Sequence, residues 1–380
     1  MDFRKPVWSG HALLLTGLTI VIHPSLFAHQ SILPALTILS SHANLIGHSS
    51  TLCPDTFHKE QQNAMQYKIL GRTGLRVSVL GLGGGGYSRL GTSQGGGDGN
   101  AVAVVRRGLE LGVNIIDTAE SYKTEGVVGQ AIKGLPRESL VLCTKTGAGS
   151  IEQLRDPKDL SRSLEQSLRN LGTDYIDIYQ LHGVQVEEYS HVVNHLAPKL
   201  LRLRSQGKIR FIGLTERFET DTAHAMLQLA SHDACWDSLM VGFNLLNTSA
   251  RRTVFPYSRQ HGMGILNMFA VRHALISLEN LHPALKRLVG LGQVQAHEVD
   301  LENPLGFLFD EAENLPEAAY RYCLHDPDLH VVLSGTGSIT HLEENIRAVE
   351  KGSLSPATID RLEKIFGKVD AESGKRTSST

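Results

Sequence analysis

The stretch NIIDTAESY, residues 114–122, contains a short apolar run that ends in an acid, Asp117, and Tyr122 follows five residues later. A buried parallel strand holds the side chain at its C-terminal end in a fixed place, and the following loop can add a second group beside it. Two later apolar runs end in the same way, at Lys145 and at His182. If these runs are parallel strands of one sheet, the four ionisable side chains meet at one edge and form a proton-transfer site.

The chain after residue 78 alternates between segments of strand length and segments with helical patterning. Most strand segments are apolar on both faces, which is typical of strands covered by helices. Eight such units in about 300 residues fit a closed (β/α)8 TIM barrel in a single domain. An N-terminal β-hairpin, 66–70 and 75–78, precedes these units and is expected to close the barrel bottom. The predicted strands are 79–84, 114–118, 140–145, 175–182, 209–215, 238–245, 264–269 and 329–334, and the predicted helices are 100–111, 125–133, 158–171, 188–206, 220–231, 251–261, 314–325 and 339–350.

A glycine-rich run, residues 81–86, formally matches the GxGxxG pattern of doubly wound dinucleotide-binding sheets. In that fold a helix begins at the glycines, so that its N-terminus meets the pyrophosphate. Here a second glycine-rich stretch, residues 91–99, comes before any helical pattern. The barrel is therefore favoured. The glycines are interpreted as a flexible loop at its mouth, where Gly84 lets a ligand approach the backbone.

The first 64 residues differ in composition from the rest of the chain, and residues 6–54 contain no Asp, Glu, Lys or Arg. Two basic residues precede an apolar run, which has the outline of a secretory signal that ends near residue 28. The other interpretation is an over-extended start or a disordered extension, with Met65 as the true first residue. The barrel is assigned to residues 65–366, and residues 367–380 are assigned to a polar C-terminal tail.

Composition excludes some classes of partner. The net charge of −2 on 380 residues gives no basis for binding to nucleic acid or to a membrane surface. The four cysteines are far apart and form no CxxC pair, which favours free thiols and a cytoplasmic location. An exported protein is the alternative if residues 1–28 act as a signal. His191 and His195 have a spacing that can bind zinc, but no third ligand is evident nearby, so no metal site is predicted.

From residue 65 to about residue 366 the chain resembles the aldo-keto reductases. Six motifs carry the resemblance together: DTAESY at 117–122, TK at 144–145, LH at 181–182, IGL at 212–214, FNLLN at 243–247 and GTGSITHLEEN at 335–345. Within the family it is similar to the aldose dehydrogenases of the D-threo-aldose, L-galactose and D-arabinose type. This implies an NAD(P)-dependent oxidoreductase that oxidises an aldose at C1 or reduces an aldehyde or ketone. A non-turnover regulatory subunit of the same fold, which binds the cofactor, is the alternative.

The chemistry assigns roles to the four strand-end residues. Carbonyl reduction needs a hydride from a nicotinamide and a proton for the developing alkoxide. We expect Tyr122 to give that proton and to accept it in the oxidative direction. A free phenol has a pKa of about 10, and the Lys145 ammonium is expected to lower it. Asp117 would hold Lys145 charged and in place, while His182 would donate a hydrogen bond to the substrate oxygen.

The resemblance also implies cofactor contacts. At the nicotinamide end, Thr215 and Glu216 stand where relatives carry Ser-Asn, and Met240 replaces a common glutamine. Asn244 is retained, and Phe269 is expected to stack on the nicotinamide. At the adenosine end, the expected contacts are Ser334, Gly335, Thr336, Ser338, His341, Glu344 and Asn345.

The adenosine end favours NAD over NADP. NADP-selective relatives place Lys or Arg where this chain has Gly335 and His341. A 2′-phosphate without a fixed cation is poorly compensated, since histidine is mostly neutral at pH 7.

The substrate, a small carbonyl compound or sugar, is expected to meet loop residues, with Tyr87 and Phe218 as the candidate contacts. Arg217, in the same loop as Phe218, and Arg272, in the connection after the seventh barrel strand, could meet hydroxyl or phosphate groups. The long connection 271–313 is expected to contain helical pieces and to fold over the cofactor.

Overall fold

The computed structural model describes residues 65–95 and 97–376. The two interpretations of residues 1–64 fall outside these residues, as do the last four residues of the predicted tail. The strands are β1 (Tyr67–Ile69), β2 (Arg76–Ser78), β3 (Leu80–Gly83), β4 (Ile115–Asp117), β5 (Val141–Gly147), β6 (Ile176–Val184), β7 (Ile209–Glu216), β8 (Ser238–Gly242), β9 (Gly264–Met268) and β10 (Val331–Ser334).

Strands β3 to β10 form a closed barrel in which each strand pairs in parallel with the next, and β10 returns to β3. Every predicted barrel strand is present at its predicted place. Closure confirms the TIM barrel and is incompatible with a doubly wound sheet, which is open at two edges. Because all eight strands run the same way, their carboxyl ends share one mouth, where Asp117, Lys145 and His182 stand.

The N-terminal hairpin consists of β1 and β2, which pair antiparallel with Lys68 opposite Val77. Leu70, Leu75 and Val77 are buried in one cluster with Ile115 and other inward side chains from the beginnings of the barrel strands. The hairpin therefore closes the end of the barrel opposite the mouth, as predicted.

The helices surround the barrel and cover the outer faces of its strands. They are α1 (Gly97–Glu110), α2 (Glu125–Ile132), α3 (Pro157–Leu171), α4 (Val186–His191), α5 (Ala197–Ser205), α6 (Ala225–Ser231), α7 (Ala250–Thr253), α8 (Phe255–Gln260), α9 (Leu278–Gly290), α10 (Leu315–His325), α11 (Ile339–Glu350) and α12 (Pro356–Phe366). Short 3-10 turns occur at Gly71–Thr73, Arg89–Gln94, Glu120–Tyr122, Arg137–Ser139, His273–Leu275, Ala296–Glu298 and Gly306–Asp310.

Two helices that were predicted as continuous, 188–206 and 251–261, are interrupted near a proline. Pro198 and Pro256 have no N–H to donate to the carbonyl four residues earlier, so the regular hydrogen-bond ladder cannot pass them. A π-helical turn, Val192–Leu196, joins α4 to α5, and Val254 separates α7 from α8.

The helix predicted at 220–231 begins only at Ala225. Residues 217–224 turn back instead, and the amides of Thr220 and Asp221 both donate to the Arg217 carbonyl at 2.9 Å. His224 adopts a left-handed conformation with φ of 62° and is fully buried. Its contact with the Glu216 carboxylate, described below, takes the place of the first turn of the predicted helix.

The connection 271–313 is ordered by α9, which spans both predicted helical pieces and buries three leucines in the core. The end of the chain returns to this region. Glu372 and Ser373 are buried, and Arg287 of α9 forms an ion pair with Glu372 at 2.6 Å. The part of the C-terminal segment that the structure describes thus packs against the barrel.

None of the helices within the described residues is long and apolar enough to cross a membrane. The cysteines of this part, Cys143, Cys235 and Cys323, are free thiols. Across residues 65–95 and 97–376, no three His, Cys, Asp or Glu side chains cluster as metal ligands. His191 and His195 have ring centroids 5.0 Å apart, and His191 Nε2 lies 2.9 Å from the Arg155 carbonyl.

Candidate active site

A buried ion pair joins the ends of β4 and β5. Lys145 Nζ lies 2.6 Å from Asp117 Oδ2 and donates a second hydrogen bond to the Thr118 carbonyl at 2.8 Å. The side chains of the pair are 0% and 4% exposed. Burial opposes the charge on Lys145, but the Asp117 carboxylate and Tyr122 outweigh it and raise the pKa of Lys145. The ammonium is therefore charged at neutral pH and held in one place.

The Tyr122 hydroxyl lies beside this ion pair and beside His182. Its oxygen is 3.1 Å from His182 Nε2, and the two rings meet edge to face at 5.2 Å. Lys145 Nζ is 4.9 Å from the centroid of the Tyr122 ring. Tyr122 ends the 3-10 turn after β4, and the following residue, Lys123, has φ of 63°. The structure thus brings all four predicted strand-end residues together at the mouth.

The glycines that follow β3 have close protein neighbours on the side where a side chain would stand. A Cβ at Gly84 would lie 2.8 Å from the Thr124 hydroxyl, and one at Gly85 would lie 2.5 Å from two ring atoms of Tyr122. The side-chain direction at both glycines is therefore filled by protein atoms, and any larger residue at either position would clash. Gly85 lets the Tyr122 ring lie against the backbone. Tyr87, in the same loop, is 86% exposed.

His182 lies at an irregularity in β6, where the register with β7 shifts between Leu181 and Val184. Gly183 has φ of +61°, and its N–H donates to Thr215 Oγ1 at 2.7 Å. Bulges of this kind re-aim side chains next to active sites. Thr215, which was expected at the cofactor, therefore holds the bulge from which His182 projects.

The expected lowering of the Tyr122 pKa is wrong in its net direction. Desolvation raises the pKa of Tyr122; the Lys145 ammonium opposes this, and the net shift is upward. The sequence indicated the ammonium but not how deeply the hydroxyl lies. A raised pKa keeps the phenol protonated at neutral pH, which suits a group that donates a proton.

His182 is neutral at physiological pH. Burial, together with the positive charges of Lys145 and Arg217, lowers the pKa of His182 from 6.5 to about 3. Ser121 Oγ lies 3.4 Å from His182 Nδ1. A hydroxyl that donates to Nδ1 leaves the imidazole proton on Nε2, which faces Tyr122. In this tautomer a neutral His182 can donate a hydrogen bond at the mouth.

The low pKa of His182 predicts how stability depends on pH. In the unfolded chain His182 has its ordinary pKa of 6.5, whereas in the folded protein its pKa is about 3. Between these two pH values the unfolded chain binds a proton that the folded protein does not. The free energy of unfolding should therefore fall with decreasing pH, by at most about 1.4 kcal/mol per pH unit from this group. Urea unfolding at pH 7.5 and pH 5 should show a smaller loss in His182→Gln than in the wild type. The exposed His297→Gln is the matched control, and equal losses in all three proteins would contradict the assignment.

Two residues expected to contact ligands are buried instead. The Glu216 carboxylate lies 2.9 Å from His224 Nδ1 and accepts a hydrogen bond from the Gly242 N–H at 2.7 Å. Phe218 stacks on His224 with ring centroids 5.3 Å apart and fills the space in front of Gly242. The side chains of Glu216 and His224 are 0% exposed, as is Phe218. Neither Glu216 nor Phe218 presents surface to a ligand in this structure.

Asn244 and Phe269 meet at the nicotinamide end of the expected cofactor site. Asn244 is buried, donates to the Phe269 carbonyl at 3.2 Å and accepts from the Leu246 N–H at 3.0 Å. Phe269 has φ of 68°, an uncommon conformation for a bulky residue. Arg272 Cζ lies 3.9 Å from the centroid of its ring. A nicotinamide that stacked on this face of Phe269 would displace the guanidinium.

The residues expected at the adenosine end lie together where β10 passes into α11. Asn345 Nδ2 donates to Ser334 Oγ at 2.9 Å, and Ser338 caps α11 by accepting the His341 N–H at 3.3 Å. Thr336 Oγ1 accepts the Ser338 N–H at 3.1 Å. Gly335 lies beside this turn, while His341 and Glu344 are exposed. The first amides of α11 have no acceptor inside the helix, so this donor set fits a phosphate.

Sequence reasoning missed two polar residues of the site, Ser121 and Gln180. Gln180 is buried, and its Nε2 lies 3.4 Å from Asp117 Oδ1. A signal was present, because Ile178, Gln180 and His182 alternate along β6 and share its inward face. A polar residue two positions before a predicted catalytic residue of a strand points to the same site.

The fold and the site define a TIM-barrel protein with Asp, Tyr, Lys and His side chains gathered at the carboxyl end of the barrel. The family model described as "Aldo/keto reductase family" matches residues 80–366. The chain therefore belongs to the aldo/keto reductase family, whose members are oxidoreductases that use nicotinamide cofactors and act on small carbonyl compounds.

Three relatives show how far the similarity extends. The L-galactose dehydrogenase of Arabidopsis thaliana is 26% identical over 328 residues, which cover 80% of this chain and 95% of that protein. The NADH-specific methylglyoxal reductase of Escherichia coli (strain K12) is 28% identical over 268 residues, 63% of this chain and 79% of the relative. A solved structure of an aldo-keto reductase from Bacillus halodurans, in its holo form, is 26% identical to this chain and superimposes with a TM-score of 0.59. The alignment covers 79% of this chain and 96% of the other chain.

Proposed function

We propose that this protein transfers a hydride between a nicotinamide and a small carbonyl compound or alcohol, with Tyr122 as proton donor and acceptor. The observation that carries the proposal is the position of the Tyr122 hydroxyl, 3.1 Å from His182 Nε2 and beside the buried Lys145–Asp117 pair. A proton donor, a fixed positive charge and a neutral hydrogen-bond donor at one spot meet the needs of carbonyl reduction.

Each residue of the site has a distinct task in this proposal. Tyr122 donates its proton to the substrate oxygen, and its raised pKa keeps that proton available at neutral pH. The Lys145 ammonium stabilises the phenolate that remains, and Asp117 fixes the ammonium. In the oxidative direction the same phenolate takes the proton of the substrate hydroxyl. A bound nicotinamide supplies or accepts the hydride.

His182 orients the substrate oxygen rather than exchanging protons with it. Its low pKa, about 3, makes it a poor proton acceptor at neutral pH. With the proton on Nε2, it donates a hydrogen bond to the oxygen that receives the Tyr122 proton. The bulge in β6, which Thr215 holds through the Gly183 N–H, sets the direction of this bond.

The cofactor would be held at its adenosine end by the turn from β10 into α11, through Ser334, Thr336, Ser338 and the first amides of the helix. We favour NAD over NADP because Gly335 and the exposed His341 supply no permanent cation for a 2′-phosphate. At the nicotinamide end, Phe269 would be the aromatic contact, and a stacked nicotinamide would displace the Arg272 guanidinium if it used the same ring face. Asn244 holds Phe269 by donating to the Phe269 carbonyl.

Cofactor preference can be tested by adding the missing cation. A Cβ at Gly335 would come no closer than 3.7 Å to another atom, and this glycine does not have a positive φ, so a side chain fits. Gly335→Lys should therefore raise kcat/KM with NADP relative to NAD by about tenfold or more, because a new charged contact to phosphate is worth about 1.5–3 kcal/mol. Gly335→Gln is the neutral control, and the same ratio in both variants would contradict the proposed position of the ribose.

The substrate class that we propose is an aldose that is oxidised at C1, or else an aldehyde or ketone that is reduced to its alcohol. Sequence similarity supports this proposal. One relative, matched over 95% of its length, is an L-galactose dehydrogenase, and another is a methylglyoxal reductase. These two names describe opposite directions of the same chemistry, which fits a tyrosine that both donates and accepts a proton.

The deciding experiment follows nicotinamide absorbance with the full-length chain. NAD+ and NADP+ are tested with L-galactose, L-fucose and D-arabinose, and NADH and NADPH with methylglyoxal and simple aldehydes. Rapid sugar-dependent reduction of NAD+ would support an aldose dehydrogenase. Turnover only of aldehydes with NADPH would overturn the sugar and NAD proposals. Cofactor binding without turnover in any reaction would favour the non-turnover regulatory subunit.

A further inference from the structure

Arg217 directly follows β7 and is fixed beside His182. Its Nε donates to the carbonyl of Gly183, the residue after His182, at 2.9 Å. The aliphatic part of the Arg217 side chain lies against Gly183. A Cβ added to Gly183 would be 3.3 Å from Cγ of Arg217. Because both the stem and Nε are held in this way, the outer edge of the guanidinium is restrained although the residue is exposed. The positive charge of Arg217 also contributes to the lowered pKa of His182.

The charge of Arg217 has no protein partner among the described residues, where neither Nη atom takes part in a hydrogen bond or an ion pair. The same segment contains three acids, and each is engaged elsewhere. Glu216 contacts His224 at 2.9 Å, Glu219 pairs with Arg272 at 2.8 Å, and Asp221 accepts from the amides of Ala225 and Met226 at 2.8 and 2.9 Å. The segment thus keeps its carboxylates away from Arg217.

A guanidinium whose Nε is already hydrogen-bonded can still offer its two Nη groups as a planar, bidentate donor. This geometry matches the two oxygens of a carboxylate, and the charge adds strength to both hydrogen bonds. A neutral sugar hydroxyl would use only one of these donors and none of the charge. The donor edge of Arg217 is therefore better matched to an anionic group than to a neutral one.

We propose that Arg217 binds a carboxylate of the substrate, so that the preferred substrates are oxo acids or sugar acids, or the corresponding hydroxy acids in the oxidative direction. The inference rests on the proposed function, because it takes the reacting oxygen to lie between Tyr122 and His182. It narrows the substrate class to compounds that carry a carboxylate in addition to the reacting carbon.

The test compares matched pairs of substrates that differ in charge. The pairs are 4-oxobutanoate with its methyl ester, D-galacturonate with D-galactose, and D-glyceraldehyde 3-phosphate with D-glyceraldehyde. In the wild type we expect kcat/KM to favour a carboxylate over its neutral counterpart by about tenfold or more. Arg217→Met keeps the length of the stem and removes the charge, so it should reduce this ratio by about tenfold to a hundredfold.

Two further variants sharpen the comparison. Arg217→Lys keeps the positive charge but loses the bidentate hydrogen-bond donor. Its kcat/KM ratio of carboxylate to neutral substrate should lie between the ratios of the wild type and of Arg217→Met. Arg162→Met removes an arginine whose side chain is 83% exposed on α3 and should leave the ratio unchanged. An equal carboxylate preference in wild type and Arg217→Met would overturn the proposal. Arg217-dependent preference for the phosphate pair alone would overturn the assignment to a carboxylate.

A binding measurement separates this inference from the proposed function. Calorimetry of succinate, which does not react, is carried out with the NADH-bound wild type and with Arg217→Met. Binding that is at least tenfold weaker in the variant would support the carboxylate site even if no substrate were turned over. Turnover of neutral substrates, together with equal succinate binding in both proteins, would refute the carboxylate site and leave the oxidoreductase proposal standing.

Discussion

Replacing Tyr122 by phenylalanine should lower kcat by about a hundredfold to ten-thousandfold, the usual contribution of general acid–base catalysis. The substitution removes one oxygen, which contacts His182 Nε2 at 3.1 Å. The ring would still lie against Gly85, so the loop after β4 should keep its shape. Binding of the nicotinamide, measured by fluorescence titration, should change by less than about threefold. The loss would thus fall on proton transfer and not on assembly of the site.

The matched control for this experiment is Tyr257→Phe, which removes the same hydroxyl from an exposed residue of α8. It should leave both kcat and cofactor affinity at the wild-type level. Wild-type kcat in Tyr122→Phe, with reaction rather than product release limiting the rate, would exclude Tyr122 as the proton donor. A parallel loss of cofactor binding would instead indicate a structural role for the hydroxyl.

Replacing Lys145 by methionine should lower the free energy of unfolding by about 3–5 kcal/mol, because it leaves the Asp117 carboxylate buried without its partner. Methionine fills much the same volume, so loss of packing is a minor part of this effect. The double variant Lys145→Met with Asp117→Asn should recover most of the lost stability, since no uncompensated charge remains. Urea unfolding of the two variants measures the difference. The exposed Lys158→Met should change stability by less than about 0.5 kcal/mol.

The pH dependence of the same variants gives an independent check. Burial raises the pKa of Asp117, and in the wild type Lys145 opposes that shift. Without Lys145, Asp117 binds a proton in the folded protein at a higher pH than it does in the unfolded chain. Lowering the pH therefore raises the free energy of unfolding of Lys145→Met. The stability gap between single and double variants should therefore narrow from pH 8 to pH 5. A gap that is absent at pH 8 would contradict the charge-burial explanation. Both variants should lose activity at every pH.

The barrel and its four strand-end residues were predictable from local patterns. The apolar runs 115–116 and 140–143 are followed by Asp117 and, one residue further on, by Lys145. Apolar runs of this kind are typical of strands buried under helices. Predictions failed where a specific side-chain contact overrides the local helical preference. The first turn of the helix predicted at 220–231 is absent because His224 contacts Glu216 instead of continuing a helix.

The assignment of polar residues to ligands shows the same limit. The position of Glu216 at the end of β7 could be predicted from the sequence. The direction in which its side chain points depends on His224 and on the Gly242 amide, which contact the carboxylate. Phe218 was expected to face the substrate and is buried against Gly242, which the sequence places 24 residues later. A side chain at a strand end can turn outward to the mouth or inward to a partner, and only packing selects between these directions.

The sequence by itself determined the strand–helix alternation, the closing hairpin and the presence of Asp117, Tyr122, Lys145 and His182 at the ends of successive units. It did so because periodicity and strand-end chemistry are properties of neighbouring residues. Only the tertiary structure decided that the pKa of Tyr122 rises and that Gly85 makes room for the Tyr122 ring. It also decided that Arg217 Nε donates to the Gly183 carbonyl while its Nη groups have no partner among the described residues. Solvation, close approach and partner choice depend on residues far apart in the chain, and folding alone brings those residues together.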